Sequence, residues 1–264
     1  MRSQRPAPAA PSSSRAVWGW AVLGLVVGLV GTVVYQAPAR WLSPLVARSG
    51  YLQLFDTQGT LWSGSGRLLL TAGAGSRDKA ALPDRIEWRW NMSGDSILLD
   101  LNARCCMVEP LRLSLTLSGG KPKVSLSDQQ SIWPAEPLAG LGTPMNTLKP
   151  SGSLHLRTQG IHWVGTDRTW HGRARLEARH VASTLSSVKP LGQYRIDGVG
   201  GPAPSLQLST LNGPLMLQAE GRWQAGRLRL TGQASTTPEM EPILGPILNL
   251  IGRREGTRSL ISIG

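Results

Sequence analysis

The sequence predicts a mainly β protein: a single N-terminal transmembrane helix, then an extended antiparallel, curved sheet of repeated hairpins forming an open barrel or groove, with a short C-terminal amphipathic helix. Three observations predict it. Residues 16–34, AVWGWAVLGLVVGLVGTVV, carry no charge. Beyond residue 50 apolar and polar residues alternate with a period of two, which sends them to opposite faces of a strand. Near the end, PEMEPILGPILNLIGRR spaces its apolar residues as one stripe of a helix. The length of 264 residues holds one medium domain or two small ones.

The first segment, residues 1–15, reads MRSQRPAPAAPSSSR and contains no acid. Its Pro, Ala and Ser bury no core, so it is expected as a tail. A helix over residues 16–35 follows, and an apolar stretch of this length spans about 28 Å, the thickness of a bilayer's hydrocarbon layer. Trp18 and Trp20 stand at one end of it and Tyr35 and Trp41 beyond the other, where amphipathic rings settle at an interface. Arg2, Arg5 and Arg15 precede the span, which orients the N-terminus to the cytoplasm and places residues 36–264 across the membrane as a β-rich domain. Ala37-Pro38-Ala39 leaves a second reading open, a cleaved signal peptide with a small-residue cleavage site.

The formal net charge is +12, from 28 basic and 16 acidic residues. Such a balance suits phospholipid headgroups or acidic proteins. The arginines alternate singly with apolar residues, as on a solvated strand face, and nucleic acid is excluded as a partner on the translocated side.

Strand signals then dominate. Residues 111–118 read LRLSLTLS, and the alternation returns in SLHLRT, SLQLST, LMLQAE and RLRLTG. Turn signals separate these runs at hairpin spacing, giving about a dozen strands. With one Phe and three Tyr, the buried face is leucine rather than aromatic. GTLWSGSGRLLL at 59–70 defines a hairpin motif: Gly59 and Gly64 permit the turn, and Trp62 caps the end of the apolar face. GRWQAGRLRLTG at 221–232 repeats it with Trp223 and Gly226, and Trp170 marks a third copy. Three prolines make residues 134–148 a loop or a single turn. In the final helix Ile243, Leu244, Ile247, Leu248 and Ile251 cover an edge or face of the sheet, with Gly252, Arg253 and Arg254 closing it.

Catalytic patterns do not emerge. The chain has no nucleophile elbow, no phosphate-binding glycine loop and no H-E-x-x-H, so an enzyme is not expected and no cofactor is called for. His155, His162, His171 and His180 are spaced like strand residues rather than metal ligands. Asp84 with Glu87 reads as a turn, and Glu239 with Glu241 as a helix start. Cys105 and Cys106 are the only cysteines; a vicinal disulfide acting as a structural clip competes with two buried thiols and with intermolecular bridges.

One order of segments carries a resemblance: a short tail and a single span, then GYLQLFDTQGTLWSGSGRLLL, PDRIEWRWNMSGDSILLDLNARCC, LKPSGSLHLRTQGIHW, SSVKPLGQYRIDG, LSTLNGPLMLQAEGRWQAGRLRLTGQA and EPILGPILNLIGRREGTRSLISIG. Over residues 15–264 this resembles the protein N family of the type II secretion system, the general secretion pathway. The resemblance implies a bitopic protein of a Gram-negative cell inner membrane with its main domain in the periplasm. It implies an accessory, non-catalytic role among other inner-membrane or periplasmic subunits of that machine. By analogy the sheet is similar to the lipid-carrying grooves of AsmA and lipopolysaccharide-transport proteins, which makes phospholipid the alternative ligand. Gly24, Gly28 and Gly31 suit close packing against another span.

Overall fold

The computed structural model describes residues 14–73, 75–118, 120–165, 170–224 and 227–264. Residues 1–13 of the expected tail, and Gly226 of the second hairpin motif, lie outside them. Helix α1 (Ser14–Tyr35) contains the uncharged run, and every side chain from Trp18 to Tyr35 is exposed. Apolar side chains gather all round this helix rather than on one stripe, so nothing directs one face of it onto the sheet. Pro38, extended at φ −71° and ψ 145°, stops the helical path. A 3-10 turn (Ala39–Trp41) and α2 (Leu42–Ala47) then pack against the first strand.

Fifteen strands among the described residues form one antiparallel sheet, where the alternation marked about a dozen. They are β1 (Leu52–Gly59), β2 (Ser63–Thr71), β3 (Lys79–Ser93), β4 (Ser96–Asn102), β5 (Leu111–Ser118), β6 (Lys121–Leu126), β7 (Gln129–Pro134) and β8 (Ser151–Val164). The series continues with β9 (His171–Ala182), β10 (Gly192–Val199), β11 (Ser205–Asn212), β12 (Met216–Gln224), β13 (Arg227–Ser235), β14 (Arg253–Glu255) and β15 (Arg258–Ile263). Strands pair with their sequence neighbours except at two places: β6 and β7 both pair with β8, and β15 lies between β13 and β14. The sheet is open, with β1 and β14 at its ends.

Register sorts the side chains into two faces. One row across the sheet reads Trp90, Leu99, Leu113, Leu126; another reads Leu156, Leu176, Ile196, Leu208, Ala219, Gly232, Ile261. The opposite face carries Arg89, Asp100 and Arg112 in one row and Arg157, Arg175, Asp197, Gln207, Glu220 and Thr231 in another. A one-residue slip would exchange the two faces, so burial of the apolar one fixes the register.

The two ends of the sheet differ. At one end, segment 134–150 folds back as a 3-10 turn (Glu136–Leu141) and a single-turn helix α3 (Met145–Leu148), and Asn146 Nδ2 donates to Asp78 at 2.9 Å. Helix α4 (Glu241–Ile251) covers the same end: Leu244, Ile247 and Leu248 are fully buried against Leu191, Leu215, Ala234 and Ile261. Two expectations are corrected here. Gly252 is extended and Arg253 opens β14, so the arginines leave the helix rather than close it, and Arg254 pairs with Glu241. Asp84 and Glu87 lie inside β3 rather than in a turn, next to a register shift of β3 against β2 between Arg67 and Leu69.

At the other end lie the paired termini of β1 and β2, β3 and β4, β5 and β6, β8 and β9, β10 and β11, and β12 and β13. Helix α1 arrives there.

Candidate functional site

The site that the sequence singles out is the junction between α1 and the first hairpin. A helix leaves its last carbonyls without intrahelical partners. Here Trp62 Nε1 donates to the Val34 carbonyl at 2.8 Å, and the Leu61 amide donates to the Ala37 carbonyl at 2.7 Å. Pro38 forms an antiparallel bridge with Thr60, and Ala37 and Ala39 are buried. The largest side chain of the turn thus ties the hairpin to the helix.

Two glycines make this geometry feasible. Gly59 has φ +84°, and a Cβ there would lie 2.6 Å from the Ser63 carbonyl oxygen. A Cβ on Gly64 would lie 2.5 Å from the Gln58 oxygen and 2.8 Å from the Trp88 ring. Trp88 itself is buried, with Nε1 3.1 Å from the Leu61 carbonyl, and the Trp90 amide donates to the Trp62 carbonyl at 2.8 Å. Beneath the hairpin, Arg85 holds the positive-φ Asp56 by a 2.6 Å ion pair at the point where β1 shifts register. Sequence reasoning missed Arg85 and Asp56, which lie far apart along the chain.

Trp223 lies in β12 opposite Leu228, on the apolar face and at the same end of the sheet as Trp62. Trp170 sits against the Gly198–Gly200 backbone at that end, so a Cβ on Gly200 would strike the Trp170 carbonyl oxygen. The three tryptophans therefore share one end, and Trp62 is hydrogen-bonded to the helix there.

Cys105 and Cys106 are joined by a disulfide of 2.09 Å in the connection between β4 and β5. Cys106 is buried and Cys105 exposed. The Ile132 amide donates to the Cys106 carbonyl and Met107 bridges to Ser131, so this turn docks on β7.

Among the described residues the titratable clusters are tied up in pairs with one another. Ser153 Oγ lies 3.1 Å from His155 Nε2, but Glu177 spends its oxygens on Arg179 at 2.7 Å and Arg195 at 2.9 Å instead of orienting the histidine. The hydrogen bond from Arg179, with help from Arg195, holds the Glu177 carboxyl below its ordinary range. Burial and then the Arg179 charge push His155 down, so its neutral form is favoured. His162 and His171 stack at 5.1 Å, and among the described residues no three His, Cys, Asp or Glu side chains converge on a common point.

These features define a class: a single open β-sheet with one polar and one apolar face, hydrogen-bonded to an N-terminal helix long and apolar enough to cross a membrane. Residues 51–260 match the family model described as type II secretion system (T2SS), protein N, and the chain belongs to that family. No curated protein and no solved structure matches the chain. Membership makes it an accessory component of type II secretion that works with other components of that system.

Proposed function

We propose that the chain is a single-pass subunit of the cell inner membrane whose domain, residues 36–264, stands in the periplasm and aligns other secretion components by protein contacts. Residues 16–35 are its retained membrane anchor and the preceding residues its cytoplasmic tail. The junction carries this reading: bonds from Trp62 to Val34 and from Leu61 to Ala37 couple the helix directly to the sheet, so the position of one fixes the other. A tether needs that coupling, whereas a cleaved leader does not. Catalysis is not part of the proposal; its role is mechanical. The test is the partition of secreted enzymes between periplasm and culture medium in a strain lacking the gene. Retention in the periplasm, reversed by the intact gene, supports the reading, and unchanged secretion refutes it. N-terminal sequencing of the mature protein tests the anchor separately, because cleavage after Ala39 removes it.

One observation favours a second reading, a phospholipid-binding sheet. Away from α4 and segment 134–150 the leucine face stays half-exposed, as at Leu99, Leu113, Leu156, Leu176 and Leu208. An apolar acyl chain fits such a face. Phospholipid retained by purified residues 40–264 supports this reading, and lipid-free protein after gentle extraction counts against it.

A further inference from the structure

We propose that the end of the sheet where α1 arrives rests on the bilayer that α1 crosses, with its tryptophans at headgroup depth and its lysines and arginines on anionic lipid phosphates. The inference builds on the membrane reading above and adds a second contact to it.

The first observation is where tryptophan falls. Six of the ten tryptophans, Trp62, Trp88, Trp90, Trp163, Trp170 and Trp223, lie at this one end. Among the tryptophans in strands only Trp133, at the far end of β7, does not. Four of the six are left partly open: Trp62 is 40 % exposed, Trp90 37 %, Trp163 39 % and Trp223 38 %. Met92 and Leu117 beside them are more exposed still. Large apolar rings left half-covered in water lose the benefit of burial, while at a membrane interface their apolar bodies and polar N–H groups are both accommodated.

The second observation is charge. On the polar face at the same end stand Lys121, Lys123, Arg173, Arg222, Arg227 and Arg229, and none of them is in an ion pair among the described residues. Long cationic side chains next to half-exposed aromatic rings are the combination that an anionic lipid surface holds. Six of the chain's 28 basic residues thus stand on this face where lipid is nearest.

The third observation names the occupant. The rim is continuous with the helix: the Val34 carbonyl accepts from Trp62, and the Trp62 carbonyl accepts from Trp90. The opposite end is already covered by α4 and segment 134–150. With α1 in a bilayer, the surface next to Trp62 and Trp90 is that bilayer's own headgroup layer.

The experiment uses the full chain in nanodiscs of phosphatidylethanolamine and phosphatidylglycerol containing a phospholipid with a photoreactive headgroup. After illumination, labelled peptides are mapped by mass spectrometry. Label is expected at the ends of α1 and also in peptides covering residues 88–97, 115–123 and 222–229. Rim label should fall at least about threefold in the quadruple variant Lys121→Glu, Lys123→Glu, Arg222→Glu, Arg229→Glu, and also when neutral phosphatidylcholine replaces both lipids, in proportion to the lost attraction of cations for an anionic surface. Label confined to α1 overturns the rim proposal and leaves the anchor standing; no label in α1 overturns both. Rim peptides that crosslink in native membranes to a protein instead of lipid also overturn it. If the quadruple variant fails to fold, the labelling pattern of the unsubstituted chain still decides.

Discussion

Trp62→Phe keeps an aromatic ring at this position but removes the indole N–H and its bond to the Val34 carbonyl, with some loss of bulk at a side chain that is already 40 % exposed. It should cost about 1 kcal/mol, the worth of one ordinary hydrogen bond, and so lower Tm by roughly 2–4 °C for a domain of this size. Thermal melting of the full chain and faster tryptic cutting at Arg40 check it. Gly64→Ala is more severe: its methyl group meets the Gln58 oxygen at 2.5 Å, and a loss above about 2 kcal/mol is expected in denaturant titration. Acid should weaken the polar face in two stages. His155 and Glu177 are both held down in the folded state, so their contribution is present above their ordinary values of 6.5 and 4.5. As pH falls below 6.5 the unfolded chain binds the His155 proton first, stability declines, and the Glu177 contribution follows below 4.5. Melting curves from pH 8 to about 2.5 read this, and the Glu177→Gln variant should lose the lower stage. For Cys105 and Cys106 the intact mass should be lighter by two hydrogens than that of the reduced chain, with no thiol alkylation before reductant. Glycine's freedom is a local property, so the sequence made Gly59 readable as a positive-φ position, whereas Gly64 lies inside β2 and is needed for the close approach of the Gln58 oxygen and the Trp88 ring. The sequence did not reveal that the Trp62 indole serves Val34, 28 positions away, since a partner of that kind depends on where the helix ends in space.

At the scale of elements, α4 is a lid over one end of the sheet. Leu244 is 0 % exposed and Ile243 37 %, so Leu244→Ala should cost about 2–5 kcal/mol through loss of burial and the cavity left behind, while Ile243→Ala stays within about 0.5 kcal/mol. Equilibrium unfolding of the two variants separates them. Arg227→Glu with Arg229→Glu should leave far-UV circular dichroism and Tm unchanged, because both side chains are exposed on the polar face. The alternating strands such as β5 and β13 were readable, since a half-buried strand imprints its period on the sequence. So was the stripe of α4. Strands β7 and β14 were not: QQSIWP and RRE carry no alternation, and only pairing with β8 and β15 makes them strands. The 134–150 segment was legible as a loop from its prolines, but its packing over the β2–β3 end was not, because Asn146 and Asp78 meet across 68 positions.

For the whole molecule, the sheet's two faces and two ends divide its surface into regions that different experiments address: secretion phenotype for the protein contacts, lipid retention for the leucine face, photolabelling for the rim. The period of two and its repeated hairpins predicted a single mainly β sheet of open form, and the sheet is open, with β1 and β14 at its ends. Nearly every strand of this sheet pairs with the one made just before it. Such a chain has mostly local closures to make, which lowers the entropy lost at each step and favours rapid folding. On the proposed reading, in which α1 anchors the chain and the domain is translocated behind it, each newly delivered strand meets a finished edge waiting for it. The sheet can therefore be assembled like a ratchet, one strand at a time from β1 onward. The two delayed steps are the arrival of β8 to join β6 and β7, and the return of β15 to β13 once α4 has formed.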